Sequence, residues 1–164
     1  MSEMGRVDAI WVKRVRRGPM DPVTEVVLQA GYGAVGSASW GGRRQVTIIE
    51  REVWERHMAA LGAALDPSAR RANFMVSACS LLDSRGRVLR LGGCRVRIRG
   101  ETRPCERMDE AYPGLRALME SPWAGGAFGE VLGGGAVRVG DPVEWEPRES
   151  TESADAAVPL TRRP

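Results

Sequence analysis

The chain has 164 residues, with 24 basic and 21 acidic side chains and a formal net charge of +3. This length suits one domain with a sizeable core, and 43% hydrophobic with 27% charged residues excludes collagen-like, coiled-coil and wholly disordered chains. No stretch approaches the roughly 20 apolar residues that span a bilayer, and residues 1–17 carry no apolar block of a secretory signal. We therefore expect a cytoplasmic protein that does not act on membranes.

The positive charge is carried almost entirely by arginine, because Lys13 is the only lysine. Codon usage in a GC-rich genome explains such a bias, and so does the use of bidentate guanidinium groups to bind phosphate or carboxylate. A net charge of +3 is too small to indicate nucleic-acid binding. We expect no nucleic-acid partner.

Short apolar or alternating runs separated by Gly and Pro turns predict a series of short strands. They lie at residues 9–16, 23–30, 45–50, 74–77, 94–99, 128–132, 136–139 and 142–145. Asp21-Pro22 predicts a turn, residues 31–42 a glycine-rich loop, and residues 83–86 the turn of a hairpin. Cys94, Val96 and Ile98 alternate with arginines, which is typical of a half-buried strand.

Helical spacing is clear only at residues 51–65, where Asp66-Pro67 predicts the end, and a second, short helix is predicted at residues 113–120. Many short strands with one clear and one or two short peripheral helices predict a mainly β fold, a closed barrel. A doubly wound α/β fold would need four or five such helices. We expect residues 1–146 to form the barrel domain and residues 147–164 a disordered tail.

The three cysteines form no CxxC pair, and with a single histidine a tetrahedral structural zinc site would be hard to build. Cys105 follows a proline and lies two residues from both Arg103 and Arg107. Guanidinium groups favour the thiolate, which is a nucleophile and a soft-metal ligand. A small buried side chain is the alternative for Cys105. Cys79 and Cys94 have apolar neighbours and are expected to be inert.

Three further polar clusters are candidate anion sites. Residues 70–73 combine Arg70 and Arg71, which could bind a phosphate, with Asn73, which could bind a heterocycle edge. Residues 41–47 and 125–129 carry glycines that can present backbone N–H groups to an anion. A solvated loop in the first case and tight turns in the other two are the alternatives.

Five segments follow one another in an order that resembles the MOSC domain, the domain first described at the C-terminus of molybdenum-cofactor sulfurases. They are residues 43–47 (RRQVT), 69–73 (ARRAN), 101–109 (ETRPCERMD), 125–132 (GGAFGEVL) and 139–143 (VGDPV). Each segment alone is a weak signal, but together and in this order they are specific. The resemblance covers residues 32–145.

This resemblance implies a β-barrel with peripheral helices and a pterin molybdenum cofactor. It assigns Cys105 as the molybdenum ligand, with Arg103 and Asp109 beside it in the catalytic group. The cofactor-binding positions it implies are Arg44, Gln45, Arg70, Arg71, Asn73, Thr102, Arg107, Gly125, Gly126 and Phe128. Many members carry Asp and His where this chain has Ser37 and Ser39-Trp40, which removes histidine-dependent proton transfer. The sequence has no flavin, haem or iron–sulfur motif, so electrons would come from an external protein.

Three hypotheses of function follow. The first is a molybdenum-dependent oxidoreductase that reduces N-hydroxylated small-molecule substrates with an external electron-transfer protein as donor. The second is a sulfur carrier that receives a persulfide on Cys105 from a pyridoxal-phosphate-dependent cysteine desulfurase and needs no cofactor of its own. The third is a non-catalytic accessory module.

Overall fold

The strand patterns of the sequence produce a closed barrel in the computed structural model, which describes residues 4–148. The strands are β1 (Gly5–Lys13), β2 (Met20–Val23), β3 (Glu25–Gln29), β4 (Gly33–Ala34), β5 (Val46–Glu50), β6 (Phe74–Ser77), β7 (Val88–Leu91), β8 (Cys94–Glu101), β9 (Ala127–Gly133), β10 (Gly135–Arg138) and β11 (Pro142–Trp145). The helices are α1 (Arg51–Leu61), α2 (Glu106–Ala111) and α3 (Leu115–Leu118), and a 3-10 turn spans Pro67–Arg70. The predicted fold class is confirmed.

Seven strands close the barrel in the order β1, β11, β7, β8, β9, β5, β6 and back to β1. The pairing of Gly5 with Val143 joins β1 to β11 and completes the ring. β5 and β6 pair in parallel, and this geometry needs a crossover, which α1 and the 3-10 turn supply. β2 extends the second half of β1, while β10, β3 and β4 form a small second sheet.

The core lies inside the barrel because alternate residues of each strand point inward. In β8 the side chains of Cys94, Val96 and Ile98 are fully buried, as their alternation with arginines predicts. Burial of each large aliphatic side chain contributes about 1.5–3 kcal/mol. Ring closure also leaves the barrel without long unpaired edges.

A second apolar cluster attaches the helices to one another outside the barrel. Trp54 and Met58 of α1 pack with Met108 of α2 and with Leu115 and Met119 in and after α3. Since α2 begins one residue after Cys105, this cluster determines where the loop between β8 and α2 lies.

Several predicted boundaries are wrong. The first strand is Gly5–Lys13 rather than residues 9–16, and the strand predicted at residues 23–30 is Glu25–Gln29. α1 ends at Leu61 rather than at residue 65, because Gly62 takes the left-handed conformation (φ 64°) and its N–H closes the helix onto the carbonyls of Ala59 and Met58. Asp21-Pro22, predicted as a turn, lies inside β2. A proline is tolerated there because β2 is the last strand of its sheet and pairs on one side only.

The predicted hairpin turn at residues 83–86 is also wrong. The hairpin joins β7 to β8 through the two-residue loop Gly92-Gly93, and Gly92 has the positive φ (59°) that such loops require. Residues 83–86 turn the chain before β7 begins. The sequence also did not reveal α2, whose six residues include only one buried side chain, Met108.

Most of the predicted tail, residues 149–164, lies outside the described residues. Of the helices within residues 4–148, none has the length and apolar character needed to cross a membrane.

Candidate functional site

A cavity of about 420 Å³ opens between the end of β1, the starts of β5 and β6, and the loop that follows β8. Its size lies within the roughly 300–1,000 Å³ of small-molecule sites. Six cationic side chains line it: Lys13, Arg44, Arg70, Arg71, Arg103 and Arg107. In the part of the chain that the structure describes, no Asp, Glu or His lines this cavity. We name it the cationic cavity.

Cys105 is exposed and lines the cationic cavity, whereas the other two thiols lie elsewhere. Burial raises the pKa of Cys79 to about 12, and the nearby Glu50 carboxylate adds to that rise. Burial likewise raises the pKa of Cys94, which is fully enclosed in the barrel core. Cys105 is therefore the thiol that can meet a ligand or a second protein.

Arg70 joins the two loops that form one wall of the cavity. Its Nε donates a hydrogen bond to the Gly125 carbonyl (3.0 Å) and its Nη2 donates to the Thr102 carbonyl (3.2 Å). Burial lowers the pKa of this guanidinium, a nearby Cys105 thiolate opposes that shift, and Arg44 adds to it. Arg70 thus both holds the wall together and contributes positive charge to the cavity.

Gly125 and Gly126 lie where the chain passes close to neighbouring backbone. A Cβ atom at Gly125 would collide with the Thr102 carbonyl oxygen, and one at Gly126 with the Ile48 carbonyl oxygen. The Thr102 hydroxyl also donates to the Gly125 carbonyl (2.7 Å). Gly125 lines the cavity and Gly126 does not, so the main role of this pair in the structure is close packing of the wall.

Three cations that line the cavity, Lys13, Arg71 and Arg107, repel one another. Partial burial lowers the pKa of Lys13, and Arg71, Arg107 and Arg16 lower it further. Burial also lowers the pKa of Arg71, with a second contribution from Arg107. Nη2 of Arg71 donates to the Gly18 carbonyl (2.6 Å), which directs its side chain. This unbalanced positive charge makes the cavity suited to an anion.

Arg44 lines the cavity from the start of β5, where its guanidinium lies 5.0 Å from the centroid of the Phe128 ring. Phe128 itself is not a lining residue. It supports Arg44 from behind through a cation–π contact.

Asn73 and Gln45 have their amide groups bound to protein. Asn73 lines the cavity, but its Oδ1 accepts from the Thr47 N–H (3.0 Å) and its Nδ2 donates to the Trp11 carbonyl (3.3 Å). Gln45 lies away from the cavity: its Nε2 donates to the Gly31 carbonyl and its Oε1 accepts from the Val131 N–H, both at 3.0 Å. These amides join strands to each other and to loops.

Arg103 and Asp109, predicted beside Cys105, have different surroundings. Arg103 lines the cavity and pairs with Glu120 (2.9 Å). Asp109 lies outside it, and its Oδ1 accepts the backbone N–H groups of Gly114 and Arg116 (3.2 and 3.1 Å). Asp109 therefore stabilises the turn between α2 and α3.

The loop that carries Ser37, Ser39 and Trp40 contributes one residue to the cavity lining. Ser39 lines the cavity, and its backbone N–H donates to the buried Ser37 hydroxyl (3.0 Å). Trp40 stacks on Tyr32, with ring centroids 5.0 Å apart. Ser39 is therefore the residue of this loop that lines the cavity.

Sequence reasoning did not identify six of the lining residues as site residues: Lys13, Met20, Ser39, Thr47, Ala72 and Met108. The sequence did hold a sign that Lys13 is a site residue, since it is the one lysine among 24 basic residues. It is also the last residue of β1. No three His, Cys, Asp or Glu side chains within residues 4–148 are grouped so that they could hold a metal ion.

Comparison with known proteins gives a consistent result. The family model of the MOSC domain matches residues 35–144. The fold is similar to that of YuaD from Bacillus subtilis (TM-score 0.72, 20% identity, covering 86% of this chain and 94% of that one). It is also similar to YiiM from Escherichia coli (TM-score 0.64, 19% identity, covering 88% of this chain and 71% of that one). The same holds for YiiM from Geobacillus stearothermophilus (TM-score 0.69, 16% identity, covering 88% of this chain and 76% of that one). The curated proteins include no match to this chain.

Proposed function

The chain belongs to the MOSC domain family, whose members are linked to molybdenum cofactor binding, and from this we propose that the cationic cavity binds that cofactor. We further propose that the protein reduces N-hydroxylated compounds with electrons from an external electron-transfer protein. The observation that carries the proposal is one exposed thiol, Cys105, in a cavity lined by six cations and by no carboxylate of the described chain.

The residues present fit the chemistry of this cofactor. A pterin dithiolene brings sulfur ligands of its own, and a single additional thiolate suits molybdenum. This matches a cavity in which Cys105 is the lone thiol and the described residues offer no metal-binding group of three. The phosphate of the cofactor needs guanidinium or ammonium partners, and the cavity supplies them.

The roles of individual side chains follow from their contacts. Cys105 would be the protein ligand to the metal. Arg71, Arg107 and Lys13, whose charges repel one another, would hold the anionic end of the cofactor. Arg70 would keep its wall in place through its two carbonyl contacts. When bound, the cofactor supplies the two-electron redox chemistry that cleavage of an N–O bond requires.

The test is metal and pterin analysis of protein purified from a molybdenum-replete host. The expected result is molybdenum and pterin in the wild type, loss of both in Cys105→Ser, and retention of both in the matched control Cys79→Ser. The far-UV circular dichroism of both variants should match that of the wild type, because Cys105 is exposed and Cys79, which packs against the core, is replaced by a side chain of similar size. Wild-type protein free of molybdenum and pterin, with Cys105 intact, would overturn the proposal.

A second function is favoured by the exposure of Cys105. A sulfur carrier needs a thiol that a cysteine desulfurase can reach, and Cys105 is the exposed cysteine of the described residues. In this reaction the Cys105 thiolate takes sulfane sulfur from the persulfide of the desulfurase, whose own thiol is released. Mass spectrometry after incubation with desulfurase and cysteine should show one added sulfur on Cys105. No added sulfur would remove this function.

A further inference from the structure

The outer face of the barrel carries a continuous row of arginines that leads to the cationic cavity. β8 alternates, so Arg95, Arg97 and Arg99 point outward. Arg85 and Arg87, from the turn before β7, lie on the same face, where they line a cavity of about 360 Å³ with Arg95 and Arg97. With Arg44 we name these six residues the arginine band.

The band reaches the site through Gly100. A Cβ atom at Gly100 would lie 3.0 Å from Arg85 Nη1 and 3.1 Å from the Phe128 ring, so both side chains lie beside this glycine. Arg44 lies over the Phe128 ring, 5.0 Å from its centroid, and lines the cationic cavity. The positive surface therefore extends from the β7–β8 hairpin to the cavity that contains Cys105.

Acidic residues neutralise only part of the band. Glu146 binds Arg95 through two hydrogen bonds (2.6 and 3.0 Å), and Arg99 pairs with Glu130 (3.3 Å). Arg44, Arg85, Arg87 and Arg97 form no ion pair with a carboxylate of residues 4–148.

Arg87 is held in place although its charge is unpaired. Its guanidinium lies 4.6 Å from the centroid of the Trp145 ring, and its Nε is buried without a hydrogen-bond partner. An orphaned buried N–H of this kind costs free energy. The band thus includes a guanidinium that lies over Trp145 and whose Nε lacks an acceptor.

We propose that the arginine band is the docking surface for an acidic protein, namely the electron donor of the proposed reductase. The inference rests on the proposed function for the identity of the partner. From Arg95 to Arg99 the band covers about 13 Å along β8 alone, which is longer than one phosphate or carboxylate can bridge. An extended acidic protein surface complements charges spread in this way, and such complementarity accelerates association. Docking along the band brings the donor to the mouth of the cavity.

The test uses two acidic electron-transfer proteins as probes, a plant-type [2Fe–2S] ferredoxin and a flavodoxin. Calorimetric titration into the full chain should show saturable binding that weakens steeply with salt. Arg85→Gln with Arg97→Gln, which removes two charges that contact only carbonyl groups, should weaken binding about tenfold at low salt. The control, Arg6→Gln with Arg138→Gln, removes the same amount of charge from two exposed arginines elsewhere, which pair with Asp8 and Glu25, and should change binding less than about twofold.

Binding without cofactor separates this inference from the proposed function. Salt-sensitive ferredoxin or flavodoxin binding to a molybdenum-free protein would support the band and count against the reductase. In loaded enzyme, the Arg85/Arg97 variant should lose turnover with ferredoxin but keep it with reduced methyl viologen, a small cation that needs no docking surface. The band is overturned if neither acidic protein binds, if both double variants bind equally well, or if a single-stranded oligonucleotide binds more tightly than either probe.

Discussion

Arg70 offers the sharpest test of how the cavity wall is held. Arg70→Met keeps a long side chain but removes the donors to the carbonyls of Gly125 and Thr102. Two charge-assisted hydrogen bonds contribute about 1.5–3 kcal/mol each. The cost of burying a guanidinium, several kcal/mol, offsets much of that sum. Because the Thr102 hydroxyl still donates to the Gly125 carbonyl, only the Thr102 carbonyl loses its side-chain partner, and we expect a net loss of about 1–3 kcal/mol.

The assay for Arg70→Met is urea unfolding followed by tryptophan fluorescence, together with hydrogen exchange of the wall. The amide of Thr102, which donates to the Gly126 carbonyl (2.9 Å), should exchange faster in the variant. Arg71→Met is the control, since Arg71 lines the same cavity and makes one side-chain hydrogen bond, to the Gly18 carbonyl. It should cost less than about 1 kcal/mol. Equal stability and equal amide exchange in wild type and Arg70→Met would refute the conclusion that Arg70 holds the two loops of the wall together.

Three further outcomes are expected. Iodoacetamide near neutral pH should modify Cys105 first and reach Cys94 only in denaturant, since Cys94 is fully buried with a raised pKa; mass spectrometry showing equal rates would contradict this. Two arginines lower the pKa of Glu146 to about 2, so its stabilisation is present above the ordinary carboxyl pKa and is lost as pH falls. The stability difference between wild type and Glu146→Gln should therefore be largest near pH 7 and disappear toward about pH 2, and a difference independent of pH would argue against the pairing. Gly125→Ala should lower the free energy of unfolding by about 1–3 kcal/mol, because the added Cβ would collide with the Thr102 carbonyl oxygen. Gly93→Ala, where the Cβ has open space around it, should have little effect. Equal effects of the two substitutions would refute the packing argument.

The strands could be predicted where the pattern is local. β8 and α1 repeat with the period of their own structure, so composition and spacing alone reveal a half-buried strand and an amphipathic helix. β6 begins after Asn73, β11 lies between Asp141 and Glu146, and both were predicted at their observed bounds. The family could also be predicted, because its segments are continuous stretches whose order along the chain is visible in the sequence.

The sequence by itself determined the barrel class, the family and the singular position of Cys105 among three thiols. The strand patterns and the arginines beside Cys105 are local, and the order of the family's segments can be read along the chain. Only the tertiary structure decided which polar side chains face the cavity. Gln45 bonds across 86 residues to Val131, and Asn73 across 62 residues to Trp11, so both amides that looked free to bind a ligand are bound to distant backbone. Lys13 reaches the cavity because the barrel brings the end of β1 beside the loop after β8. Periodicity shows which face of a strand a side chain occupies, but barrel closure determines what it meets there.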